Sequence, residues 1–191
     1  YMRRFYGGEN DGNSRQLARF IYSSTKKYIP EMKPNMIYRL DRFGRGGHHR
    51  PFNDLGFAGV RIMESNENYN RQHQDIRIEN GIKYGDVIEG VDFNYVKNLT
   101  SVNIINLVLI GSSPPPPKNL SIGGIVEPSV KFKWDKNNDD NIKGYKIYWR
   151  ETSSPHWQFS KYVGNVNNYT LDDVIIDNYL FSVTSVSVDG Y

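Results

Sequence analysis

Between Ser14 and Tyr28 the chain reads SRQLARFIYSSTKKY, with Leu17, Phe20, Ile21 and Tyr28 near one face of a helix. Ser14 is placed to cap that helix, and Pro30 and Pro34 to close it. A second helical run follows Asp92, an acidic cap. In DFNYVKNLTSVNIINLVLI the apolar positions are Phe93, Val96, Leu99, Val102, Ile105 and Val108. Their near three-residue spacing predicts a long amphipathic helix packed on a sheet. NMIYRL (35–40) and AGVRIME (58–64) read as strands, and Pro51 opens a short helix that ends before Gly56. Strands alternating with helices predict an α/β layer structure for this half of the chain.

The period then changes. VKFKW (130–134), GYKIYWRE (144–151), YTLDDV (169–174) and LFSVTSVSV (180–188) alternate apolar with polar residues. The turn-forming clusters DKNNDDN and VGNVNN separate them, a pattern that predicts an all-β sandwich. SSPPPP (112–117) marks the change of pattern, and four successive prolines favour a stiff extended segment. The predicted organisation is therefore an α/β domain over 1–111, a proline linker over 112–117 and a β domain over 118–191.

Composition narrows the classes. The net charge of +3 is small and the basic residues are spread along the chain, so no nucleic-acid groove is expected. There is no cysteine, which excludes disulfides and thiolate zinc sites. No apolar run is long enough to span a bilayer. The N-terminus, YMRRFYGGENDG, lacks the apolar stretch of a signal peptide and has no initiator Met, and the chain reads as a piece of something longer.

Candidate chemistry gathers around three histidines. RFGRGGHHRPF (42–52) places His48 and His49 side by side in a glycine-rich loop, as a metal site, a catalytic pair or a polar loop. His73, in ESNENYNRQHQDIRIENG (64–81), follows the predicted strand 58–64, where open α/β sheets place ligands. Asp75 and Glu79 are near enough in sequence to orient or charge-balance it. Spacing alone leaves metal ligation and a plain polar role both open.

GENDGNSRQLARFI, then RFGRGGHHRPFNDLGFAGVRIMESNENYNRQHQDIRIENGIKYGD, then VDFNYV together resemble the C-terminal half of the di-zinc aminopeptidases. That clan includes bacterial leucyl aminopeptidases and glutamate carboxypeptidases, and the resemblance runs from about Gly8 to Ile110. It implies a zinc-exopeptidase α/β fold, a peptide substrate, a secreted or periplasmic parent and two zinc ions in the complete enzyme. By that resemblance His73 is a zinc ligand and Asp75 supports it, while Gly47, His48, His49 and Phe52 line the pocket. His48 stands where the family carries Asp, and Ala58 where it carries Pro. The family's other ligands and its general base come from an N-terminal half that has no counterpart here. One histidine cannot hold a zinc centre that needs three or four protein ligands. The resemblance therefore implies that this chain alone neither holds zinc nor hydrolyses peptides.

From about Pro114 the chain resembles a fibronectin type III module, with Trp134 as the core tryptophan and the last strand missing after Tyr191. The favoured function is the C-terminal portion of a zinc-dependent aminopeptidase. The rival is a non-catalytic, peptidase-like binding protein, which the change at His48 would suit.

Overall fold

The computed structural model describes residues 10–38 and 46–190. The chain divides into two compact units that meet between Asn106 and Leu107. The division lies inside a helix.

In the first unit, helix α1 spans Asn13–Tyr28. Its cap lies two residues earlier than Ser14, at Gly12, with no side-chain cap bond. Ser14 is used elsewhere: its hydroxyl accepts the Gly59 N–H at 3.1 Å and an Asn53 amide N–H at 3.2 Å. Its buried residues are Arg15, Arg19, Ser24 and Thr25, while Phe20 and Tyr28 of the predicted apolar face are more than a third exposed. Arg15 donates to the Ile37 carbonyl and lies over the Tyr38 ring, and burial pulls its guanidinium below the usual value. Arg19 donates to the Asn10 carbonyl at 2.6 Å and to its side-chain oxygen at 2.8 Å.

Helix α2 is the single turn Arg50–Asp54 with proline in its first turn, as Pro51 predicts. The strands predicted at 35–40 and 58–64 are not formed where they are described, and residues 39–40 lie outside the described residues. A strand needs neighbouring strands for its backbone groups. Here the Ile37 carbonyl takes Arg15, and both the Gly59 N–H and carbonyl are taken by side chains. Among the described residues the first unit's sheet is the antiparallel pair β1 (Arg77–Glu79) and β2 (Ile82–Tyr84). Asn80 and Gly81 join them at φ 51° and 78°, the left-handed geometry of a two-residue hairpin. The expected α/β layer is not shown.

Helix α3 spans Phe93–Gly111. Asp92 caps it, its carboxylate accepting the N–H groups of Asn94 and Tyr95 at 2.9 and 3.0 Å. The three-residue row read from the sequence does not form one face. Each step of three falls short of a turn by about 60°, so the row winds around the helix. Val102 is buried, whereas Phe93, Val96 and Val108 are exposed. The covered stripe is instead Tyr95, Leu99, Val102, Asn106 and Leu109. Asn106 meets α1 through a 2.6 Å hydrogen bond from the Ser24 hydroxyl.

The second unit is a sandwich of two antiparallel three-stranded sheets. One has the order β3-β4-β7, from Lys118–Gly123, Ser129–Asp135 and Asn168–Asp172. The other has the order β6-β5-β8, from Phe159–Gly164, Ile142–Glu151 and Tyr179–Ser187. Alternation along β4 turns Val130, Phe132 and Trp134 inward, where they meet Tyr145 and Ile147 of β5 and Leu171, Val174 and Val183. Rings interlock across the sheets: Trp134 and Tyr145 centroids are 5.3 Å apart, and Phe132 and Phe181 meet edge-on at 5.4 Å. The prolines are fastened to this unit. Pro114 is buried, and the Pro115 carbonyl accepts from Asn137 at 2.6 Å and from Ser185 at 2.7 Å. A proline has no N–H, yet its carbonyl is still a full acceptor.

Candidate functional site

The two histidine loops are built around α2 and the turn before β1. Residues 42–45 of the glycine-rich loop lie outside the described residues. His48 is exposed, and His49 is half-buried as the residue just before α2. A side chain at Gly47 would come within 2.9 Å of His49 Nδ1, so glycine is what lets the loop pass under the imidazole. Phe52 points away from any core, with 59% of its surface exposed.

Asn53 is the organising residue of this loop, and sequence reasoning missed it. It is buried, and its amide donates to the Phe57 carbonyl at 3.0 Å, to Ser14 at 3.2 Å and to the Gly59 carbonyl at 3.3 Å. These bonds lay the chain at Gly59 against α2. A Cβ at Gly59 would sit 2.9 Å from the Asn53 amide nitrogen and 3.3 Å from His49 Cβ. Ala58, one residue earlier, is exposed.

His73 sits on a separate turn, exposed, with its backbone at φ 52°. That left-handed conformation is uncommon for a residue with a side chain. The turn is anchored on both sides: Arg71 N–H donates to the Asn68 carbonyl at 3.0 Å, and Gly85 N–H to the Asn70 carbonyl at 2.9 Å. Asp75 is exposed, and its carbonyl accepts from Arg77 at 3.4 Å. Glu79 pairs with Arg77 at 3.1 Å, so that carboxylate serves the hairpin.

The loops are linked through intermediaries. Arg61 donates to the Gly46 carbonyl at 3.3 Å and pairs with Glu67 at 3.6 Å. Glu67 in turn accepts from Gln72, the neighbour of His73, at 3.2 Å. The arrangement can fix two imidazole-bearing loops relative to one another. It does not assemble a zinc site, because no group of three or more His, Cys, Asp or Glu that could hold a metal occurs among the described residues. A zinc ion would need further donors.

Comparison with known proteins agrees with the broad class. Over 188 residues, 97% of the chain, it is 40% identical to a protein of Pyrenophora tritici-repentis (strain Pt-1C-BFP) named "Probable zinc metalloprotease". A protein of Phaeosphaeria nodorum with the same name is also 40% identical over 188 residues, and one of Pyricularia oryzae is 36% identical over 195. Its relatives are named as zinc metalloproteases. The chain covers 43%, 38% and 39% of those three proteins respectively, so it spans about two fifths of the length of the curated relatives it matches. No family model matches. Among solved structures, the chain is similar to the FN1–FN3 domains of chicken CNTN1, at TM-score 0.37 and 18% identity over 41% of this chain and 29% of that one. The FN3 domain of human collagen XX gives TM-score 0.33 and 20% identity, covering 41% of this chain and 82% of that one. No helix among the described residues is long and apolar enough to cross a membrane.

Proposed function

We propose that this chain is one part of a zinc-dependent peptidase that removes N-terminal residues from peptides. The observation that carries the reading is 40% identity across nearly the whole chain to proteins named as zinc metalloproteases. The aminopeptidase assignment rests on the resemblance of the 42–86 segment to the di-zinc enzymes. In this reading His73 contributes one zinc ligand and the remaining ligands, with the general base, lie in the rest of the longer protein. His49, Gly47 and Phe52 form pocket wall. Asn53, Ser14 and the Arg61–Glu67–Gln72 chain hold that wall at a fixed distance from the His73 turn. Zinc, when bound in the completed centre, would polarise a peptide carbonyl and lower the pKa of a bound water.

The test joins this chain to the portion of the Pyrenophora protein outside the match, in that protein's order. Bound zinc and turnover of aminoacyl chromogenic substrates are then measured. The expected result is zinc-dependent turnover, with zinc content lost in His73→Ala. His49→Ala should retain the metal and lose roughly 10–100-fold in activity. A joined protein that binds peptides but neither zinc nor turns over substrate would favour the binding-protein reading. Unchanged zinc content in His73→Ala would remove that residue from the ligand set.

A further inference from the structure

Three stretches of the chain fit the pattern Asn-x-Ser/Thr: Asn98-Leu99-Thr100, Asn119-Leu120-Ser121 and Asn168-Tyr169-Thr170. So short a pattern recurs by chance, and the fold separates the three. The hydroxyl two residues on assists recognition of the asparagine amide, so both side chains must be reachable from one side. Asn98 and Thr100 stand in α3, where residues two apart point about 200° away from one another. Asn119 is committed to β4: its backbone is at φ 51° and its amide donates to the Asp135 carboxylate at 2.7 Å. The Ser121 hydroxyl donates to the Lys133 carbonyl at 3.3 Å. A substituent on the Asn119 amide would disturb a hydrogen bond to a charged group, one of the stronger kinds.

Asn168 differs from both. It opens β7, and the two-residue period of a strand puts Asn168 and Thr170 on one face while Tyr169 between them packs against the core. Asn168 and Thr170 are both exposed. On β4 they face Lys133 and Lys131, also exposed, and β3 adds Ser121 and Gly123 to the same face. This outer face is polar, so covering it with carbohydrate removes no apolar packing. Among the described residues β7 is also an edge of its sheet, which leaves one side open to a bulky group. The Asn168 amide donates to the adjacent Asn167 side chain at 3.0 Å, and because both are exposed that bond is readily exchanged for water.

We propose that Asn168 is an N-glycosylation site whose donor is a lipid-linked oligosaccharide diphosphate. The amide nitrogen bonds to the anomeric carbon of the first sugar. The bond from that carbon to the diphosphate oxygen breaks, the diphosphate leaves with the electron pair, and the amide gives up one proton. Tyr169 keeps its place against the core, and the carbohydrate stands over the lysine-bearing face of the sandwich. The assignment is independent of the peptidase reading.

The test places a secretory leader before the 191-residue chain, expresses it in a filamentous fungus and maps glycopeptides of the leader-processed protein by mass spectrometry. The expected result is carbohydrate on the peptide that holds Asn168, released by peptide-N-glycosidase with conversion of Asn168 to aspartate. Asn168→Gln and Thr170→Ala should each abolish it, while Thr170→Ser should retain it. Enzymatic removal of the glycan should leave the denaturant midpoint of the sandwich unchanged or lower it. Bare Asn168 in the leader-processed chain would overturn the proposal, as would carbohydrate at Asn98 or Asn119 with Asn168 empty. A midpoint that rises when the glycan is removed would show that the fold does not accommodate it, and would overturn the proposal too. None of these readouts depends on zinc or turnover, so an inactive but glycosylated chain would count against the peptidase reading alone.

Discussion

The two units handle their apolar residues in opposite ways. The second unit closes a core of eight buried side chains, seven from the strands of both sheets and Val174 from the loop after β7, and Val130, Tyr145 and Ile147 are completely covered. The first unit spends its buried positions on polar groups: Arg15, Arg19, Ser24, Thr25, Asn53 and Asn106. Its large apolar residues are mostly at the surface. A sandwich can complete its core locally, because each sheet supplies the face that covers the other. Single helices and one short hairpin cannot, since each has an apolar side and no opposing layer. The difference teaches that the second unit is written as a self-contained domain. The first leaves most of its large apolar side chains uncovered among the described residues and is tied together by side-chain to backbone hydrogen bonds.

That contrast can be broken most forcefully by equal truncations in the two units. Trp134→Ala removes a fully buried indole and should cost about 3–5 kcal/mol, read by chemical denaturation of the sandwich. Phe93→Ala removes an exposed ring and should stay within about 0.5 kcal/mol in the isolated chain. Similar costs at both sites would show that the first unit has a core after all.

A smaller effect is expected at Asn53, where the first unit depends on hydrogen bonds. Asn53→Ala leaves the Phe57 and Gly59 carbonyls without their donor and should lower the local opening free energy of residues 46–60 by roughly 1–3 kcal/mol. Amide exchange would show this as faster exchange confined to that loop. Unchanged exchange would remove Asn53 as the organiser of the His49 loop.

How far the sequence was legible follows the same division. The alternating runs at 130–134, 144–151 and 180–188 predict β4, β5 and β8 because a two-residue period with a covered face is self-consistent within one domain. β3 and β6 went unread: LSIG and FSKY carry too few inward apolar residues to stand out. In the first unit, Asp92 as a cap and Pro51 in a helix's first turn were legible because they act on the neighbouring backbone. The hairpin at 77–84 was missed although ENG between alternating isoleucines is a strong turn signal. The strands at 35–40 and 58–64 were expected from apolar content alone, and strand pairing depends on neighbours that lie elsewhere. For the site, histidine positions were visible, but Asn53 and Ser14 were not. An asparagine in a one-turn helix gives no sign of which carbonyls it will meet.

The smallest effect concerns a surface pair of the second unit. Glu127 is held below the usual carboxylate range by its hydrogen bond from Lys131, then by that residue's charge. A depressed folded-state value contributes stability above the unfolded pKa, and this is lost as pH falls through the folded value. Both groups are exposed, so salt should weaken the effect. An NMR titration should place Glu127 below a free glutamate, and Lys131→Ala should move it back up. An unmoved midpoint would show that the pair is not formed in solution.

Amide hydrogen exchange across the isolated 191-residue chain tests the central claim most directly. If the second unit is self-contained and the first is not, amides of β4, β5 and β8 should exchange only through global opening of the sandwich. Amides of α1 and α3 should exchange through much cheaper local opening, at least about a hundredfold faster. A single level of protection shared by Val102 and Ile147 would contradict the account, because it would mean that the two units stand or fall together.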